Sequence, residues 1–374
     1  MRRSAFALLL TLGFGAAAFG QTGKPMKFHA YFGGYTGGKS GGKGIMLAEF
    51  DAASGKLGAA TLAAEIGSPS FLCLHPNGET LYAVGEGGGK DGGPVVAFAV
   101  TADGKLTEKN VLPSGGSGPC HLSTDAAGKF LAVANYGGGS TAVFALNDDG
   151  SLKARTAFVQ HVGSGPDKAR QTGPHGHCCF FDETGEFVLT ADLGLDKVLV
   201  HKLNRADGTV APAGSIDLPP GSGPRHFHIA PGNKVAYICG EMNGTVNVAT
   251  LDFAAKAFPV TQSLSTLPEK TPGNSTAECR LHPNGKFVYV SNRGHDSIAA
   301  FKLTDGKLTA IGHAKGAFKV PRNFNIDPTG KWMLVAGQAS NNVEVFSIGE
   351  DGLPKATGTV IDTPAPVCIK FLAK

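Results

Sequence analysis

One unit recurs along this chain about every fifty residues, and that period alone rules out most folds. Each copy reads as an apolar strand, a tight turn, a second apolar strand, a loop and an alternating third strand. The opening strand and turn run from Pro69 to Glu79, Pro119 to Lys129, Gly176 to Glu186, Pro224 to Lys234, Thr276 to Lys286 and Pro321 to Lys331. Behind the turns come apolar runs such as Leu81-Tyr82-Ala83-Val84 and Phe287-Val288-Tyr289-Val290, then two-residue alternation, as at 297–303 and 342–348. A sheet this small cannot bury both faces alone, so copies must stack on one another. The 54 glycines and a charged content of only 17% suit many short strands joined by tight turns, and 42% hydrophobic residues suffice for a large core.

The two ends of the chain complete the pattern. Phe28 to Phe32 and Ile45 to Phe50 supply strands that lack an opening strand before them. Pro366 to Phe371 supplies an opening strand with nothing after it. Joined, they make one further unit and leave no open sheet edge. The expected fold is therefore all-β: a seven-bladed β-propeller over residues 28–374, closed by strands from both termini.

Residues 1–20 stand apart. Met1-Arg2-Arg3 precedes an apolar run from Ala5 to Phe19, and Ala18-Phe19-Gly20 has small residues at a cleavage-site spacing. This layout is that of a secretory signal peptide, which predicts a periplasmic or secreted protein; without export it would be cytoplasmic. No other segment is long and apolar enough to span a bilayer, so no membrane association is expected after the signal is removed. The net charge of +4 is spread along the chain with no basic run, which argues against a nucleic-acid partner. Cys73, Cys120, Cys178, Cys179, Cys239, Cys279 and Cys368 fall mostly in apolar runs and read as buried free thiols.

Aligning the copies on their turns compares side chains at equivalent places. The first position of the opening strand holds Ser70, Cys120, His177, Arg225, Ala277 and Arg322. Where the second strand ends stand Glu86, Tyr136, Leu193, Glu241, Arg293 and Gln338. In a propeller these two places meet at one mouth of the central channel. The polar residues cluster on one arc, in four consecutive units: His177, Arg225 with Glu241, Arg293, and Arg322 with Gln338. Three arginines facing one glutamate call for an anionic ligand, since uncompensated buried charge is costly. His177 and Glu241 supply proton-transfer groups. His175 with His177, and His226 with His228, each put two imidazoles two residues apart; lacking further ligands in sequence, neither pair predicts a metal, and no cofactor is expected. The Gly-rich stretches after Gly85 and Gly137 precede no helix and read as blade turns.

The segments Gly223-Pro224-Arg225-His226-Phe227, Glu241-Met242-Asn243-Gly244-Thr245-Val246 and Val320-Pro321-Arg322-Asn323-Phe324 resemble the lactonase family of seven-bladed propellers, as does Ala336-Gly337-Gln338-Ala339-Ser340. That family includes propeller-type 6-phosphogluconolactonases and the fungal carboxy-cis,cis-muconate cyclase, and the likeness runs from about Phe28 to Leu372. The resemblance implies an active site of one His, one Glu and two Arg, which fall here on His177, Glu241, Arg225 and Arg293. It implies substrate contacts from Arg322 and Gln338. His175 is an alternative to His177, and Glu86 and Tyr136 complete the ring as further substrate contacts.

The function expected is hydrolysis of a sugar lactone or similar anionic lactone, without metal or covalent nucleophile. Either His177 or Glu241 would activate water, and the arginines would hold the developing oxyanion. A non-catalytic propeller that captures an anionic ligand or a partner protein is the rival, because one fold hosts both roles. Muconate cycloisomerisation is a further reading within the family. The sequence carries no signature of oligomeric state.

Overall fold

The computed structural model describes residues 26–374 apart from Lys90. The signal-peptide reading of residues 1–20 lies outside the described residues. Seven antiparallel sheets form the molecule, six of them four-stranded in chain order. Numbered along the chain, the inner strands of blades 1 to 6 are Phe71–Leu74, Pro119–Thr124, Gly176–Phe181, Pro224–Ile229, Ser275–Leu281 and Pro321–Ile326. Blade 7 takes its inner strand, Pro366–Ala373, from one end of the chain and Lys27–Gly34 and Gly44–Asp51 from the other. The predicted closure is therefore seen directly, with Ala30 opposite Phe371 and Phe32 opposite Ile369.

The turns explain why the repeat is so regular. Asp125 Oδ1 accepts the N–H groups of Lys129 (2.7 Å) and Phe130 (2.8 Å). Asp182 and Asp327 hold Phe187 and Trp332 in the same way, each at 2.8 Å. Blades 1 and 5 carry His75 and His282 at that place, and each Nδ1 accepts an N–H two residues on. Each of those rings also bonds the turn of the following blade, at Gly128 O and Gly330 O. The turn ends in a left-handed residue, glycine in every such blade except the fourth, where Asn233 takes φ 56°.

Apolar side chains wedge between neighbouring blades. Leu189 and Val200 of blade 3 meet Phe227 and Ile238 of blade 4, and Tyr237 and Val248 of blade 4 meet Val290 and Phe301 of blade 5. All seven cysteines are free, and all but Cys73 are buried, as small hydrophobic residues would be.

The inner strands share one irregularity that matters for function. In every blade but the first, the inner strand gains one residue over its neighbour near the channel mouth. The register shift brackets Cys120, His177, Arg225 with His226, Ala277 with Glu278, Arg322 and Val367. A bulge breaks strict alternation and re-aims the side chain at that point. Val367 apart, these are the positions that the turn alignment singles out as the first ring, in two blades together with the residue that follows.

Candidate active site

A cavity of about 270 Å³ at the channel mouth is lined by Glu86, Cys120, Tyr136, Arg170, His177, Glu241, Arg293 and Arg322. Larger hollows exist, such as one of about 500 Å³ along the outer strands of blade 3. That one is open, and its charged residues Glu186, Lys202 and Arg205 do not converge on any catalytic pairing. The mouth cavity is where titratable groups meet.

Glu241 is its centre. It follows the second strand of blade 4, Val235–Gly240, and its backbone is pinned by Glu241 N–H to Gly223 O (2.8 Å) and Thr276 N–H to Glu241 O (3.2 Å). Oε2 lies 2.9 Å from Arg225 Nε and 3.0 Å from Arg293 Nη2, while Oε1 accepts from Arg170 Nη2 at 2.9 Å. Burial alone would raise its pKa; Arg293, Arg225 and Arg170 outweigh that and hold it at about 2.

The arginines differ in what they face. Arg225 is buried and stands behind Glu241, outside the cavity wall, with Nη1 donating to Ala277 O at 2.7 Å. Its Nε is within ion-pair distance of Glu241, yet the N–H is out of line and has no hydrogen-bond acceptor. Arg293 lines the cavity; Nη2 donates to Thr276 O at 2.9 Å, and its Nε also has no acceptor. Burial, with Arg225 and Arg322 nearby, pulls the Arg293 guanidinium down to about 10 even beside Glu241. Arg322 lies over the ring of Tyr35 at 5.5 Å, and the Tyr35 hydroxyl donates to Glu86 Oε2 at 3.0 Å. Counted at the mouth, four arginines (170, 225, 293 and 322) face two glutamates (86 and 241), an excess of two positive charges.

His177 is buried against Tyr136, with ring centroids 5.3 Å apart, and its Nδ1 lies 3.9 Å from the Cys120 thiol. Burial, then Arg225, His226 and Arg322, push its pKa well below the usual imidazole range, so the ring is neutral at physiological pH. Burial raises the Cys120 thiol, which leaves it protonated and unsuited to nucleophilic attack.

Of the residues read from the sequence, His177, Glu241, Arg293, Arg322, Glu86 and Tyr136 line the cavity. His175 does not: its ring stacks on Tyr136 at 4.7 Å and its Nδ1 meets Tyr136 O at 3.0 Å, so it steadies that tyrosine. Gln338 also stays outside the wall, with its backbone N–H bonded to Val320 O. Two residues were not foreseen. Tyr35 follows the strand Lys27–Gly34, and Arg170 sits on the long connection 161–175 between blades 2 and 3. That connection is fixed by Gln171, whose Nε2 donates to Leu193 O and Asp196 Oδ1, both at 2.8 Å. Arg170 lies outside the repeat. Tyr35 takes the second-ring place of blade 7, its N–H bonded to Ala365 O as Glu241 N–H is to Gly223 O, but no turn precedes that strand to align on.

The family model described as "Lactonase, 7-bladed beta-propeller" matches residues 29–371. A 6-phosphogluconolactonase of Bacillus subtilis is 34% identical over 335 residues, covering 88% of this chain and 95% of the relative. One from Formosa agariphila is 35% identical over 311 residues, 81% of this chain and 88% of the relative. The solved structure of the periplasmic gluconolactonase of Pseudomonas aeruginosa superposes with a TM-score of 0.86 at 28% identity, over 93% of this chain and 99% of that one.

Proposed function

This chain belongs to the lactonase family of seven-bladed β-propellers, and from that premise we propose that it hydrolyses an anionic sugar lactone of the 6-phosphogluconolactone type at the channel mouth. The observation that carries the anionic reading is the crowding of cations: Arg293 is buried beside Arg225 and Arg322, and its guanidinium is pushed down to about 10 despite its ion pair with Glu241. A doubly charged phosphate ester would neutralise the two surplus positive charges.

In this mechanism the lactone carbonyl oxygen points at Arg293 and Arg322, and the phosphate takes Arg170 at the rim. Water attacks the carbonyl carbon and gives its proton to Glu241. The oxyanion formed is held by the guanidinium donors, a contribution of roughly 3–4 kcal/mol per donor. Collapse breaks the ring C–O bond, the departing alkoxide receives the proton, and the product is the open-chain hydroxy acid. Glu241 suits the base role better than His177, because protonating His177 would add a fourth cation beside Arg225, Arg293 and Arg322. The neutral His177 orients the water. Arg225, outside the cavity wall, positions Glu241.

Glu241 at a pKa of about 2 is a weak base while three arginines hold it. Arg170 is the most exposed member of that trio, with 44% of its side chain exposed. Transfer of Arg170 from Glu241 to the substrate's anionic group frees Oε1 and raises the basicity of the carboxylate, which couples substrate charge to catalysis. The layout of residues 1–20 supports export, and the Pseudomonas neighbour is named as periplasmic.

A pH-stat assay with 6-phosphogluconolactone and gluconolactone tests the reading. One charge-assisted contact is worth about 1.5–3 kcal/mol, so kcat/KM should favour the phosphorylated lactone by roughly 10- to 100-fold. Equal turnover of both would overturn the anionic assignment. Binding without turnover of either would favour the non-catalytic propeller, and turnover of a muconate alone would favour cycloisomerisation.

A further inference from the structure

The layer beneath the mouth is built from the residue that follows each first-ring position: Phe71, His121, Cys178, His226, Glu278 and Asn323. Three of them come from consecutive blades and converge. The ligand-capable atoms of His121, Cys178 and His226 all lie within 4.8 Å of one another, and all three residues are buried.

The partners of the two imidazoles show which of their nitrogens are already engaged. His226 Nδ1 lies 3.1 Å from Glu278 Oε2. The same Oε2 lies 3.5 Å from Arg280 Nη2 and accepts from Asn323 Nδ2, so donors surround this carboxylate. The carboxylate therefore accepts from His226 Nδ1–H, which leaves the Nε2 lone pair free. A carboxylate behind the far nitrogen is the usual support of a metal-bound imidazole. His121 Nδ1 lies against the Cys179 N–H (3.3 Å) and thiol (3.8 Å), while its Nε2 is buried without any hydrogen-bond partner. An orphaned buried imidazole nitrogen is costly unless something binds it.

We propose that His121, Cys178 and His226 form a buried three-coordinate site for a soft, singly charged cation, Cu(I), one layer below the substrate cavity. The donors are two imidazoles and a thiolate, a set suited to soft metals. Charge decides the oxidation state. Arg280 sits beside Glu278, and Lys370 Nζ lies 4.7 Å from the centre of the Phe71 ring, so cations already flank this layer. Binding of Cu(I) displaces the Cys178 thiol proton to solvent, so the layer gains no net charge; Zn(II) would add one positive charge among those cations. Phe71, tilted against His121 with ring centroids 4.0 Å apart, covers one side of it. The His226 ring packs edge-on to His177 at 5.4 Å, so an ion here would fix the floor of the cavity as well as join three blades.

The histidine pairs noted in the sequence are not the chelate; His226 takes its partners from neighbouring blades instead of from His228. The test is anaerobic titration of the full chain with Cu(I) against a competing chromogenic chelator, followed by X-ray absorption at the copper edge. The expected result is a single tight equivalent with one sulfur and two imidazole nitrogens around copper. Cys178→Ser and His121→Gln should each lose it, while Cys73→Ser, outside the cluster, should retain it. An all-sulfur shell in the unmodified protein would overturn the proposal whether or not the variants fold. So would tight Zn(II) binding that Cu(I) does not displace, or loss of the site in Cys73→Ser.

Discussion

Arg170 Nη2 donates to Glu241 Oε1 at 2.9 Å, which ties the connection between blades 2 and 3 to the carboxylate at the inner end of blade 4. The same Nη2 reaches the Tyr136 hydroxyl at 3.1 Å. The group that restrains Glu241 is thus the most exposed arginine of the mouth.

Replacing Arg170 should therefore affect charged and neutral lactones differently. Arg170→Gln is expected to lower kcat/KM for the phosphorylated lactone by about tenfold. Gluconolactone, which has no group to draw the arginine away, should react as fast or faster. Steady-state kinetics on both substrates check this; equal losses would leave Arg170 no part in sensing substrate charge.

Glu241→Gln removes the base and the counter-charge together. The expected loss in kcat is about 10²–10⁴-fold. Arg225 and Arg293 would then be buried beside a neutral amide, at a cost to stability of about 3 kcal/mol. Urea unfolding should show a lower midpoint with an unchanged slope, and a variant of wild-type stability would contradict the ion-pair geometry.

The pH dependence follows from the same groups. Glu241 is ionised down to about pH 2, and His177 stays neutral well below the usual imidazole pKa. The profile of kcat/KM for uncharged gluconolactone, which has no phosphate to titrate, should thus lack an inflection near pH ~6.5, the pKa of an unperturbed imidazole. His177→Gln should lower the rate without changing the shape of the profile. A descending acid limb near neutrality that vanishes in His177→Gln would instead make His177 the base.

Acid should unfold the protein in two stages. Burial lowers His226, His228 and His201 to about 4, so between about pH 6.5 and 4 the unfolded chain binds more protons and stability falls as pH is lowered. Glu278 and Glu241, held at about 2, contribute stability above pH ~4.5 that is lost as pH falls toward 2. Unfolding free energies across these windows measure both stages. His228→Gln should flatten the first stage and leave the second intact.

The repeat made the architecture legible, because turn residues and two-residue alternation are local signals that survive in every unit. It also placed His177, Glu241 and Arg293 correctly on one arc, since equivalent positions in a ring face a shared axis. Arg225 stands 2.9 Å from Glu241 without lining the cavity, although the same bulge at His177 and Arg322 leaves those residues in the wall. A bulge depends on pairing with the neighbouring strand and leaves no local pattern. Arg170 was invisible for another reason, since it lies in a connection whose course is set by tertiary contacts such as those of Gln171. Tyr35, the blade 7 counterpart of Glu86 and Glu241, has no turn before its strand to align on. The convergence of His121, Cys178 and His226 needs three blades at once, and no spacing within one strand encodes it.

The pairing of Lys27–Gly34 with Pro366–Ala373 has a consequence in time as well as in space. The inner strand of blade 7 leaves the ribosome after every other blade, and Tyr35, at the opposite end of the chain, reaches Arg322 only in the closed ring. A nascent chain therefore waits without its finished pocket until synthesis has passed the final blade.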